Sequence, residues 1–204
     1  MTDVEAVDNF ARRSQELKNE IGKVIIGQRD IVDKVLISIF SNGHCLLIGV
    51  PGLAKTLLVS TVARSLDMSF NRIQFTPDLL PADLLGISVF NPKDAQFHFQ
   101  KGPLHSQLVL ADEINRTSPK TQSSLLEVMQ EQQITVDNKT YKLEDPFMVI
   151  ATQNPIEHEG TFPLPESQLD RFFMKLSMGY PDEQEELKLL ELNISAKTLP
   201  VIVD

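Results

Sequence analysis

Gly49-Val50-Pro51-Gly52-Leu53-Ala54-Lys55-Thr56 is the stretch on which the reading of this chain turns. It nearly matches the pattern G-x-x-x-x-G-K-[ST] of a phosphate-binding loop. On its N-terminal side His44 to Ile48 reads as a short buried strand, and from Thr56 to about Leu66 the spacing of apolar residues predicts a helix. A loop between strand and helix offers an anion successive backbone N–H groups together with the positive end of the helix dipole. Lys55 would put a point charge beside the β and γ phosphates of a nucleotide, and Thr56 would offer a hydroxyl to Mg²⁺. The departure from the pattern is Ala54, which stands where the second glycine is wanted. A methyl group there is tolerated while φ stays negative and strains a left-handed backbone. The sequence therefore predicts a loop whose geometry suits a Cβ at position 54.

Downstream, Gln107 to Ala111 reads as a fully buried strand that runs into Asp112 and Glu113. Carboxylates at the C-terminal end of a central strand lie where open α/β sheets bind their ligands. Asp112 would hold the metal through its water shell, and Glu113 would polarise an attacking water. An Asp-Glu pair at this place favours hydrolysis over transfer to a second substrate.

Around these two motifs the periodicity predicts alternating helices and strands. Val7, Phe10, Leu17 and Ile21 suggest an opening helix that breaks at Gly22, and a second helix is expected from Gln28 to about Ser41. Phe70, Ile73 and Phe75 suggest a strand, Pro119 to Gln132 a helix, and Phe147 to Ala151 another buried strand. The proline-rich segment 77–102 reads as an inserted short helix and hairpin, and a second hairpin is expected around Asp137-Asn138. Near the end, Asp182 and Glu185 form a capping-box pattern ahead of an acidic helix. The alternation predicts a parallel sheet covered on both faces.

The composition sets outer limits. The 204 residues are 42% hydrophobic and 23% charged, which is enough for one core with a small appendage. A net charge of −9 argues against bulk attraction to nucleic acid or an anionic membrane, so a nucleotide must meet a focused pocket. A single cysteine, Cys45, sits in an apolar run, reads as core and fits a reducing compartment. The acidic N-terminus lacks a signal-peptide pattern and no apolar run is long enough to span a bilayer, so the expected location is cytoplasmic. Asn91-Pro92-Lys93-Asp94 is spaced wrongly for a guanine-reading element. His158-Glu159 lacks the second histidine of a zinc-protease helix, and the four histidines show no ligand spacing.

Four stretches taken together resemble the MoxR branch of the AAA+ ATPases: GVPGLAKT (49–56), ADEINR (111–116), ATQNP (151–155) and LPESQLDRF (164–172). The family's loop commonly carries alanine at the position of Ala54. The resemblance implies a three-layer α/β P-loop core with a central parallel five-stranded sheet and a helix/hairpin insert, binding ATP and Mg²⁺. It implies a nucleotide-contacting set of Ile26, Gly27, Gly49, Val50, Pro51, Gly52, Leu53, Ala54, Lys55, Thr56, Leu57, Asp112 and Asn154, with the metal at Thr56 and Asp112. Lys55, Glu113, Asn154 and Arg171 correspond to the catalytic set. In it, Asn154 would orient water as sensor one, and Arg171 would be an arginine finger reaching the phosphate held by the adjacent subunit. Arg116 would be either another subunit-interface cation or a cap on loop carbonyls.

Further implications are a ring homo-oligomer, a hexamer, and chaperone-like maturation of client proteins, among them partners with a von Willebrand factor A-type domain, including metal or cofactor insertion. The expected organisation is an N-terminal helix and adenine-side segment (1–27), an ATPase core (28–180, insert 77–102) and the start of a C-terminal helical region (181–204), with the lid truncated or absent. Two rival readings are a P-loop kinase or GTPase, disfavoured by Asp112-Glu113 and the missing guanine element, and a nucleotide-gated scaffold with little turnover.

Overall fold

The computed structural model describes residues 2–156 and 160–195; His158-Glu159 and the chain from residue 196 lie outside the described residues. In chain order the elements are α1 (Asp3–Ile21), α2 (Arg29–Phe40), β1 (Cys45–Ile48), α3 (Lys55–Ser65), β2 (Phe70–Gln74), α4 (Pro81–Leu85), β3 (Gly86–Asn91) and β4 (Gln96–Lys101). There follow β5 (Leu108–Asp112), a 3-10 turn (Ile114–Arg116), α5 (Pro119–Glu131), β6 (Gln133–Val136), β7 (Lys139–Lys142), β8 (Met148–Gln153), α6 (Glu166–Leu169), β9 (Met174–Ser177) and α7 (Glu183–Ser195). Five strands make one sheet in the order β2-β5-β8-β1-β9, and every neighbouring pair is parallel. The two hairpins, β3-β4 and β6-β7, are separate antiparallel ribbons.

Side chains alternate across a strand, so a strand buried on both faces must be apolar at every position. Cys45 and Leu47, Leu108 and Leu110, and Met148 and Ile150 enter a core shared with α1, α2 and α3. Leu46, Val109, Ala111, Val149 and Ala151 enter a second core under α4 and α5. Two cores on opposite faces of one sheet make the three-layer architecture. Cys45 is fully buried, and burial raises its thiol pKa.

His44 ties the layers together. Its Nδ1 accepts from Val149 N at 3.0 Å, so Nε2 carries the proton and donates to Met129 O at 3.0 Å. Burial lowers its pKa, which keeps the ring neutral and the pair of bonds intact.

The insert takes the expected form, a short helix and a hairpin, and the box at α7 forms, with Asp182 N donating to Glu185 Oε2 and Glu185 N to Asp182 Oδ1. The opening helix forms as expected, as α1, and ends at Gly22. Of the apolar residues that suggest α1, Val7 and Phe10 are 65% and 56% exposed, and only Ile21 is fully buried, because the helix rests on the core by its C-terminal half. The edge strand β9 has no counterpart in the sequence reading. Its residues Met174-Lys175-Leu176-Ser177 bury only Leu176, so four residues with one buried apolar side chain carry little periodic signal. No helix among the described residues is long and apolar enough to cross a membrane.

Candidate nucleotide site

Because the five strands run parallel, the segments leaving β1, β2, β5 and β8 emerge at one edge of the sheet. A cavity of about 360 Å³ opens there. It is lined by Pro51 to Thr56 from the loop and α3, Arg72 and Gln74 from β2, Asp112 at the end of β5 and Glu113 just after it.

The loop is drawn onto the sheet by Gly49 N donating to Gln153 O at 3.2 Å. Lys55 Nζ turns back into it, donating to the carbonyls of Gly49 (2.6 Å) and Val50 (3.1 Å). Burial lowers the Lys55 pKa, opposed by the charges of Asp112 and Glu113. Gly52 has φ +89° with open space where a Cβ would stand, so its requirement is conformational rather than steric. Ala54 corrects the sequence reading. It sits at φ 54°, ψ 27°, a left-handed conformation, immediately before the first helical residue of α3. The loop does impose the geometry that an L-residue resists, at a cost of about 1–2 kcal/mol.

Asp112 is 8% exposed, and both of its oxygens are engaged. Oδ1 accepts from the Thr152 hydroxyl at 2.6 Å, while Oδ2 accepts from Arg72 Nη2 at 2.7 Å and Nε at 3.1 Å. Glu113 is also left-handed, at φ 58°, and its N–H donates to the Thr152 hydroxyl at 2.8 Å. Its carboxylate oxygen Oε2 accepts from Gln74 Nε2 at 2.8 Å and pairs with Arg116 Nη1 at 3.1 Å. Arg116 thus holds Glu113 within its own chain.

The donors fit a divalent cation of the hard type. A hydroxyl (Thr56) and a carboxylate (Asp112) face one cavity, as an ion that keeps several waters and binds substrate phosphate requires. Among the described residues no group of three or more His, Cys, Asp or Glu side chains is placed to hold a metal ion unaided.

Beside this cavity, and sharing Pro51 to Ala54 with it, lies an apolar pocket of about 230 Å³. Val24, Ile25, Ile26, Leu57 and Leu58 line it, together with Tyr180, Pro181 and Leu189 from the segment entering and forming α7. Ile26 and Leu57 thus meet there. Gly27 is not among the lining residues. It has φ +76°, and a Cβ built on it would come within 2.7 Å of Glu185 Oε2, so its smallness lets α7 approach.

Asn154 is buried directly after β8, and its Oδ1 accepts from Ile156 N at 3.1 Å in a local turn. Arg171 lines neither cavity; it is exposed after α6, and its Nη1 donates to Leu126 O at 3.0 Å. No ion pair with Asp170 forms among the described residues.

Sequence reasoning passed over Arg72, Gln74, Thr152, Tyr180, Pro181 and Leu189. Arg72 and Gln74 carried one available signal, polar side chains at i and i+2 of a strand, which share a face. Thr152 and Leu189 carried none, since each reads as an ordinary member of its element.

The profile of the "ATPase family associated with various cellular activities (AAA)" matches residues 44–174. The chain is 56% identical over 172 residues to protein YeaC of Bacillus subtilis, covering 84% of this chain and 54% of that one. It is 48% identical over 171 residues to Chaperone MoxR1 of Mycobacterium tuberculosis, covering 84% and 45%. A crystal structure of a protein proposed to be an ATPase, from Cytophaga hutchinsonii, superposes with a TM-score of 0.84 at 47% identity, over 96% of this chain and 60% of that one. The chain spans about half the length of the curated relatives it matches. With the phosphate loop, the Asp112-Glu113 pair and the five-stranded parallel sheet all in place, the chain belongs to the AAA+ ATPases, in their MoxR branch.

Proposed function

We propose that this chain binds ATP with Mg²⁺ and hydrolyses it to ADP and phosphate as one subunit of a cytoplasmic ring, a hexamer, that remodels or matures partner proteins. The observation that carries the reading is the convergence of Lys55, Thr56, Asp112 and Glu113 on one cavity, with an apolar pocket of a size to accept a base beside it. Thr56 and Asp112 would hold Mg²⁺, which would supply charge neutralisation at the phosphates. Lys55 would exchange the carbonyls of Gly49 and Val50 for phosphate oxygens, a change from neutral to charge-assisted acceptors.

Glu113 would take a proton from the attacking water. The water oxygen would bond to the γ phosphorus as the bond from that phosphorus to the β–γ bridging oxygen breaks, and ADP would leave. Asn154 would orient the water. Arg171, which lines neither cavity of its own chain, would serve the site of the neighbouring subunit. The client reading, partner proteins with a von Willebrand factor A-type domain and metal or cofactor insertion or complex assembly, rests on the family resemblance, and the name of the relative Chaperone MoxR1 supports its chaperone part alone. ATP turnover measured against protein concentration tests the assembly: activity per chain should rise as subunits associate. A chain that binds ATP while turning none over at any concentration is instead a nucleotide-gated scaffold.

A further inference from the structure

Arg72 stands outside the roles assigned so far. It enters the cavity from β2, and its side chain, 47% exposed, places Nη2 and Nε on the same oxygen of Asp112. The other oxygen of that carboxylate belongs to Thr152. A carboxylate this buried requires charge or hydrogen-bond compensation, and here the chain supplies it in full. A divalent cation drawing on Oδ2 therefore competes with a guanidinium already seated there, and two cations on one oxygen repel.

The same guanidinium is linked to the second carboxylate through Gln74. Its Nη2 also donates to Gln74 Oε1 at 2.9 Å, which fixes the Gln74 amide so that Nε2 faces Glu113 Oε2.

We propose that Arg72 is a positioning residue, an internal counter-cation that a divalent metal displaces from Asp112, so that it sets the metal requirement for nucleotide binding. The proposal rests on the nucleotide-site reading above.

The test measures binding of the non-hydrolysable β,γ-imido analogue of ATP by calorimetry, in EDTA and in Mg²⁺, for the natural chain and for Arg72→Met, Arg72→Lys and Gln74→Leu. The quantity read is the ratio of the two affinities, which expresses the coupling between metal and nucleotide. Arg72→Met should raise that ratio about tenfold, as expected when one charge-assisted contact no longer competes. Arg72→Lys should stay near the natural ratio, and so should Gln74→Leu, which leaves Arg72 on Asp112. An unchanged ratio in Arg72→Met overturns the proposal, including the case of equal losses in both buffers, which makes Arg72 a plain phosphate ligand. An equal rise in Gln74→Leu also overturns it, since the effect would then come from strand geometry. If Arg72→Met does not fold, Arg72→Gln should raise the ratio in its place, and an unchanged ratio there overturns the proposal equally. A natural chain that binds no analogue in either buffer sinks the nucleotide reading itself, whereas binding with a ratio indifferent to Arg72 sinks only this inference.

Discussion

The two cavities that meet at Pro51 to Ala54 are built on opposite principles. In the phosphate cavity the charged groups have partners within the chain: Lys55 on two carbonyls, Asp112 on Arg72 and Thr152, Glu113 on Gln74 and Arg116. Across from the loop and α3, its wall is the ends of β2 and β5, so Arg72, Gln74 and Asp112 are positioned by a hydrogen-bonded sheet. The neighbouring pocket is apolar, and it is closed by three segments far apart in sequence, residues 24–28, the loop with α3, and Tyr180 to Leu189. Directional bonds demand fixed geometry, whereas apolar contact demands only area removed from water. On the proposed function, the phosphate cavity would hold the reacting end of a nucleotide rigidly and the apolar pocket its base, by a surface that α7 helps to form.

The largest effect is expected at the proposed subunit boundary, where Arg171 would serve the phosphate cavity of the neighbouring chain. Arg171→Ala should cut hydrolysis by about a thousandfold or more while sparing ATP binding. Glu113→Gln should likewise bind and fail to turn over. Mixing the two inactive variants should restore activity, because some interfaces then pair an intact Glu113 with an intact Arg171. Verified mixed rings that remain silent at every ratio would return Arg171 to its contact with the Leu126 carbonyl as its whole role.

Within one chain, Lys55→Ala should weaken ATP binding about a hundredfold, since it removes the one loop charge directed at the phosphates. Titration of a fluorescent ATP analogue reads the loss. Affinity close to that of the natural chain would mean that the backbone and Arg72 suffice. The apolar pocket is tested by Leu57→Glu, with ATP and inorganic triphosphate compared: about a tenfold loss is expected for ATP and none for triphosphate. Equal losses for both would show that the pocket does not receive the base.

The smallest effect is expected at the shared wall. Ala54→Gly relieves a left-handed alanine but loosens the unfolded chain, terms of about 1 kcal/mol each and opposite in sign. ATP affinity should stay within a few-fold and urea-unfolding stability within about 1 kcal/mol. A large loss of binding would mean that the methyl group itself contacts the nucleotide.

Residue order alone was enough for the sheet's inner strands, the strand-loop-helix unit around Lys55 and the strand-end placement of Asp112 and Glu113. Each is local: an apolar run of strand length, a turn with its glycine, a carboxylate one residue past a run. The helix/hairpin form of the insert and the capping box at Asp182 were legible for the same reason.

Relations between distant segments came only with the folded chain. Arg72 meets Asp112 across 40 positions and Thr152 meets Asp112 across another 40, and no periodicity encodes such pairs. Tyr180 and Leu189 join Ile26 because Gly27 admits Glu185 at close range, a packing event rather than a pattern. Ala54 is the sharpest case. Its residue type argued for one backbone conformation, and the sheet, by fixing where β1 ends and α3 begins, imposed the other. A preference of about 1–2 kcal/mol held by one residue yields to a fold that many buried side chains determine together.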